Sequence, residues 1–273
     1  MMKQDNDKQI YIGTQGWNYE GWEGPFYPRG TAKKEMLGLY SKVFDTVEID
    51  STFYAVPAAA SVLGWAERTP ADFKFSVKLP SEITHKNRLQ GSEDYLKHFL
   101  DRIHLLGHKL GSILIQLPPD FSPTERRALG SFLKILPADF NFAVEFRDPA
   151  WLALDILAEL KSHNVALTLT DSRWIEREQS FELIDKPTAS FAYVRWLGPR
   201  ELTDYSRVQI DRTVELEQWS VAFKRLAKQV PLIFGYFNNH FQGHSPASSN
   251  QFKQMIGQRV TSPQEIVLQP SLF

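Results

Sequence analysis

Thr46-Val47-Glu48-Ile49 and Phe142-Ala143-Val144-Glu145-Phe146 are short apolar, β-branched runs, and each carries a glutamate at or near its end. Glutamate is disfavoured in a buried strand unless something pairs with it or uses it. Six further runs of the same kind lie at residues 10–13, 73–78, 112–116, 165–170, 191–195 and 232–237. Between them fall segments of helical period at 33–43, 58–68, 95–106, 124–136, 151–163 and 215–229. In the third of these, Leu96, Phe99, Leu100, Ile103 and Leu106 recur at three- and four-residue spacing and make one apolar face. Ser122-Pro123-Thr124-Glu125 and Asp148-Pro149-Ala150-Trp151 read as helix starts, a capping residue followed by proline. Eight strands alternating with helices predict a single α/β domain, a (β/α)8 barrel, rather than an open doubly wound sheet. Glu48 and Glu145 then sit at the carboxyl ends of the second and fifth strands, on the rim where barrel enzymes place their chemistry.

Two stretches fit the repeat less well. Residues 170–191 have little amphipathic pattern, so the sixth helix is expected to be short or irregular. Residues 197–212 are long and polar, placed to cover the mouth as a lid. No internal repeat or linker interrupts the chain, which is read as a flexible tail over 1–9 and one barrel over 10–273.

At 273 residues and 42% apolar content the chain can bury one large core, and 7 Trp with 19 Phe leave rings for a cleft. A formal net charge of −1 provides no overall basic field, so a nucleic-acid partner is not favoured. With no cysteine, disulfides, thiolate metal sites and cysteine nucleophiles are excluded. Residues 1–9 are unlike a secretory signal and no run reaches membrane-spanning length. A cytoplasmic protein without a membrane partner is expected.

Facing carboxylates on two barrel strands suit acid–base chemistry of the kind used in glycoside cleavage. The alternative is a buried ion pair of Glu145 with Arg147 or Arg195 that fixes the rim. Lys78 ends the third strand, either as a lysine of lowered proton affinity or as the cation facing Glu48. His85 follows in a loop, where it can carry a proton near neutral pH. Arg147 and Arg195, with Lys78, suit an anionic ligand, unless Glu48, Glu145 and Asp171 consume their charge. After the last strand, Asn238-Asn239-His240 and Gly243-His244 resemble an anion-binding loop, with Ser245-Pro246 opening a helix. Trp17, Tyr54 and Trp196 are candidate rings for ligand contact. No organic cofactor motif is present. A divalent metal on Glu145, Asp171 and His244 is conceivable but not favoured.

The opening Gly13-Thr14-Gln15-Gly16-Trp17-Asn18-Tyr19, with Trp22 and Phe26-Tyr27-Pro28, resembles the YecE-like family, also called the domain of unknown function 72 family. The likeness continues through Thr46–Tyr54 of the second strand and its loop, Phe73-Lys74-Phe75-Ser76-Val77-Lys78 and Ile83-Thr84-His85. It extends to Gln116-Leu117-Pro118-Pro119, Glu145-Phe146-Arg147, Tyr193-Val194-Arg195 and Gly243-His244-Ser245-Pro246-Ala247. The resemblance implies a barrel of unestablished activity and adds Gln116 to the ligand-binding set. It also leads one to expect asparagine where this chain has Asp50, whose charge would raise the proton affinity of Glu48.

The expected function is therefore an enzyme, a hydrolase or lyase using carboxylates on a small polar, anionic or carbohydrate-like substrate. The catalytic set is Glu48, Glu145, His85 and Lys78. The binding set is Arg147, Arg195, Asp171, Gln116, Asn238, Asn239, His244, Trp17, Tyr54 and Trp196. The alternatives are non-catalytic binding of a nucleotide, nucleic acid or phosphometabolite, and metal-dependent phosphoester hydrolysis.

Overall fold

The computed structural model describes residues 9–263. Eight parallel strands close in chain order into a barrel: β1 (Gln9–Gln15), β2 (Thr46–Ile49), β3 (Lys74–Lys78), β4 (Leu110–Gln116), β5 (Phe142–Glu145), β6 (Ala166–Ser172), β7 (Phe191–Gly198) and β8 (Leu232–Phe237). The ring is sealed by β1 pairing with β8, from Gln9 opposite Leu232 to Thr14 opposite Phe237. Helices follow the strands: α1 (Lys33–Tyr40), α2 (Ala59–Glu67), α3 (Glu93–Ile103), α4 (Arg126–Ile135), α5 (Leu154–Ser162), α6 (Arg177–Glu182), α7 (Thr213–Gln229), and α8 (Asn239–Gln242) with α9 (Ser245–Met255). The expected (β/α)8 barrel is the fold, and its sixth helix is indeed short. Except for Gln9, which opens β1, the tail expected over 1–9 lies outside the described residues.

Strand alternation divides the core into two shells. Outward residues such as Val47, Ile113, Val144, Val194 and Trp196 pack under the helices in the larger cluster. Inward residues Leu114, Ala143, Ala166, Phe191, Tyr193, Phe234 and Tyr236 fill the barrel itself. Hydroxyls line the interior as well: Tyr236 OH lies 2.7 Å from both Thr46 Oγ1 and Ser76 Oγ, and Ser76 Oγ lies 2.8 Å from Ser112 Oγ. The barrel thus carries both apolar and polar side chains at its centre.

Both expected helix starts are present. Ser122 and Glu125 form a reciprocal capping box, and Asp148 Oδ1 accepts from Ala150 N at 3.0 Å. Asn238 caps α8 by accepting from His240 N at 2.9 Å, and Pro246 stands in the first turn of α9. The polar segment before α7 lies along these last turns. Gln209 N donates to Gln242 O at 2.7 Å, while the Tyr205 ring meets Tyr19 and His240 edge-on at 5.7 and 5.4 Å. Among the described residues no helix is long and apolar enough to cross a membrane.

Gly198 is the pivot between β7 and this segment. Its φ is +67°, and a Cβ there would stand 2.2 Å from the carbonyl oxygen of His240. Gly198→Ala is therefore expected to lower stability by about 3 kcal/mol, through left-handed strain plus a backbone clash. Urea unfolding should show a lower midpoint with an unchanged slope; a midpoint equal to that of the native chain would refute this reading.

Candidate functional site at the barrel mouth

By alternation, the inward positions towards the carboxyl ends of the eight strands include Gln15, Glu48, Lys78, Gln116, Glu145, Thr170, Arg195 and, just past β8, Asn238. The centre of this ring is Arg195, 2% exposed. Its Nη2 donates to Glu48 Oε1 at 2.7 Å and its Nη1 donates to Glu145 Oε2. The other oxygens are also taken. Tyr193 OH donates to Glu48 Oε2 at 2.6 Å, and Arg147 Nε donates to Glu145 Oε1 at 3.2 Å. The Gln15 amide, with its oxygen as acceptor, lies 3.1 Å from Nε and Nη2 of Arg195. One guanidinium thus bridges two glutamates that are 0% and 1% exposed.

The two carboxylates feel this arrangement differently. Burial pushes the Glu48 carboxyl above the usual range against the pull of Arg195, and Asp50 adds to the rise. Burial also opposes ionisation of Glu145, but Arg195 and Arg147 together outweigh it and hold that carboxyl below the usual range. Tyr193 is kept a neutral donor, because burial and the Glu48 charge raise its pKa well above the ordinary value.

Nearer the opening stands Lys78, whose Nζ is 3.6 Å from Asp50 Oδ1 and 4.3 Å from the centre of the Phe53 ring. Among the described residues no acceptor lies within hydrogen-bonding distance of this ammonium. Burial draws Lys78 below the ordinary lysine value, and Asp50 only partly restores it. His85 occupies a π-helical turn (Glu82–Lys86) after β3, with Nδ1 2.9 Å from Thr84 Oγ1 and Nε2 3.5 Å from Gln116 Nε2. Burial, then the charges of Arg147 and Lys78, lower His85 to about 4, so its imidazole is neutral at physiological pH.

The structure brings Glu48, Glu145, Lys78, Arg147, Arg195, Gln116 and His85 together, with Asn238 abutting Gln15 at 2.7 Å. It separates others from them. Asp171 points outward beneath α6 and α7, accepting from Arg177 Nε at 2.7 Å and Trp219 Nε1 at 2.8 Å. Trp196 is fully enclosed, stacked on Phe237 at 4.1 Å, so it packs the outer core instead of meeting a ligand. Asn239 is spent on structure, its Oδ1 accepting from Trp22 Nε1, Ser245 N and Ser245 Oγ. His244 is buried against Trp22, with Nδ1 2.8 Å from Tyr205 O. Trp17 meets Trp65 edge-on, and Tyr54 stands 82% exposed outside the ring. Gln15 and Tyr193 were not among the expected residues, and Asp50 was expected only as a charge acting on Glu48. The two-residue spacing from Tyr193 to Arg195 was the available signal for Tyr193.

Removing the central cation should leave two buried carboxylates without compensation. Arg195→Met is expected to cost about 3–5 kcal/mol, and adding Glu48→Gln should recover part of the loss. A single variant within 1 kcal/mol of the native chain, on the order of a surface substitution, would show that the bridge is not structural.

The histidine provides a pH test. Its folded pKa of about 4 lies below the ordinary 6.5, so the folded protein binds this proton less readily than the unfolded chain. Its contribution to stability is complete above 6.5 and is lost as the pH falls towards 4. NMR titration should place the His85 midpoint near 4 and move it part of the way towards 6.5 in Arg147→Ala. A midpoint that stays in place in that variant would remove Arg147 as a cause.

A family model described as "Protein of unknown function DUF72" matches residues 11–270. The YecE protein of Escherichia coli K12 is 38% identical over 229 residues, covering 77% of this chain and 82% of that one. The YunF protein of Bacillus subtilis is 26% identical over 269 residues, covering 90% and 94%. Among solved structures, a DUF72 family protein from Thermotoga maritima superposes with a TM-score of 0.77 at 26% identity, covering 92% of this chain and all of that one. A second, from Enterococcus faecalis, gives 0.72 at 18% identity over 92% of this chain and 99% of that one, a likeness that supports the fold alone. The family model spans almost the whole sequence and the E. coli relative covers most of it: this chain belongs to the DUF72 family of proteins of unknown function.

Proposed function

We propose that the protein is an enzyme that binds a small polar anion at the barrel mouth and moves a proton on it through Lys78, Asp50 and His85. The observation that carries this reading is the Lys78 ammonium, drawn below its usual pKa by burial and facing one carboxylate at 3.6 Å. A lysine so placed gives up its proton more readily than an exposed one and keeps donors free for a substrate oxygen. Asp50 is the partner that can accept from it. The neutral His85 imidazole can hydrogen-bond a substrate carbonyl or hydroxyl without adding charge.

The glycoside-type use of Glu48 and Glu145 loses its support here. That chemistry needs a sugar or a water between the carboxylates, whereas the Arg195 guanidinium fills the space. Lyase or hydrolase chemistry on an anion remains, with Glu48, Arg195 and Glu145 as its rigid floor. The complete enclosure of both glutamates equally favours a second reading, a non-catalytic receptor for the same anion. Metal-dependent hydrolysis draws no support from the donor set. Asp171 and His244 lie in separate surroundings, and among the described residues no group of three acidic or histidine side chains is placed to hold an ion.

A thermal-shift screen with sugar acids, sugar phosphates and nucleotides would find the ligand class, since a ligand of the native state raises the melting temperature. With a hit in hand, Lys78→Met is expected to lower turnover by about a hundredfold or more while the ligand still raises the melting temperature. Turnover unchanged in this variant would sink the proton-transfer role. A reproducible shift without turnover of any bound compound would favour the receptor.

A further inference from the structure

Three guanidiniums converge on one indole at the opposite side of the mouth. The Trp174 ring has Arg147 Cζ at 3.9 Å, Arg173 Cζ at 4.6 Å and Arg200 Cζ at 5.2 Å from its centre. They come from three connections: the end of β5, the loop between β6 and α6, and the segment between β7 and α7. Like charges do not gather without a reason, and cation–π attraction to a shared ring offsets only part of their repulsion.

The charge count is uneven. Arg147 shares its charge with Glu145 through Nε, but its Nη2 is buried without a partner and the residue is only 9% exposed. Arg173 and Arg200 are exposed, and among the described residues neither has a carboxylate within ion-pairing distance. Arg200 also holds a left-handed backbone at φ 68°, a conformation that a non-glycine residue adopts at a cost. Two uncompensated positive charges therefore stand over a third guanidinium with an idle donor.

We infer that Arg147, Arg173 and Arg200, held on Trp174, form a binding site for the terminal phosphoryl group of a small phosphate monoester. A carboxylate has two oxygens and one charge. A phosphoryl dianion has three terminal oxygens and a charge that matches the surplus, and guanidinium forks fit its geometry. The indole face is taken by the guanidiniums, so Trp174 serves as the platform for the arginines and not as a stacking surface for a base. The cluster is confined to one ring on a chain of net charge −1, which suits a terminal phosphate better than a polynucleotide track. This inference rests on the anion-binding part of the proposed function and names its ligand class.

Calorimetric titration of the full chain with inorganic phosphate and phenyl phosphate tests it, at constant ionic strength and about pH 8, where both are mainly dianions, the second ionisation of a monoester being roughly 6. Saturable binding of both is expected, with dimethyl phosphate, a monoanion, about tenfold weaker or more. Arg173→Ala with Arg200→Ala should weaken phenyl phosphate by about tenfold or more, whereas Arg225→Ala, on α7 and paired with Asp185, should leave it unchanged. Both cluster side chains are exposed, so folding is not at stake. Absence of saturable binding, or equal affinity in the double variant, would overturn the site. So would an oligonucleotide lacking terminal phosphate that binds more tightly than phenyl phosphate with a steep salt dependence. Phosphate binding is read without turnover: survival of activity in Lys78→Met would count against the catalytic reading alone.

Discussion

The Arg195 guanidinium, fixed between Glu48 and Glu145, is the constraint on which the mouth depends. It joins β7 to β2 and β5 across the barrel, strands that share no backbone pairing. Burying three charges is costly unless each polar atom is satisfied. Here the four carboxylate oxygens are met by Arg195, Tyr193 and Arg147, so the cluster pins the strand ends in one geometry. Such a cluster adds little net stability over an apolar core, and its physical effect is to select one arrangement. The same bridge gives each carboxylate oxygen a donor and puts a guanidinium between the two glutamates, which speaks against their use as a facing acid–base pair.

Above this internally paired floor, the rim is divided. On the β2–β3 side stand the Asp50 carboxylate with Lys78 and His85, the last two with proton affinities lowered chiefly by burial. On the β5–β7 side stand three arginines around Trp174. Arg147 belongs to both regions, since it pairs with Glu145 below and depresses His85 across the mouth. A substrate held by an anionic end on the arginine side would project its other end towards the lysine side. Anchoring remote from the reacting atoms is how binding energy is turned into orientation.

Much of the fold was legible in the chain because β-branched runs and helical periodicity report local preference directly. β2 and β8 carry the expected boundaries, β5 stops at Glu145, and β7 runs past Arg195 to Gly198. The candidate site was legible in part, and parity explains why two expected residues lie apart from the mouth. Asp171 and Trp196 were chosen for their nearness to the rim, but each is one residue past an inward position. In a strand, one residue is the difference between the mouth and the outer core. Read by parity, Arg195 selects Tyr193 and rejects Trp196. Trp174 and Arg200 had no comparable signal, since they lie in irregular segments whose course is set by packing and not by period.

Asp50 shows how one side chain joins the two levels. With it, three carboxylates at the mouth (Glu48, Asp50 and Glu145) face Lys78, Arg147 and Arg195, and this inner set is neutral. Its Oδ1 lies 3.6 Å from Lys78 Nζ and 3.9 Å from Arg195 Nη2, close enough to act on both without a hydrogen bond to either. Its charge supports the protonated lysine and raises the proton affinity of Glu48. The asparagine expected from the family resemblance would withdraw both effects together. Lys78 would then lose its proton more easily, and Glu48 would ionise more readily beneath Arg195. The residue at position 50 thus biases the proton affinity of Lys78 and of Glu48 at once, and aspartate favours the charged lysine.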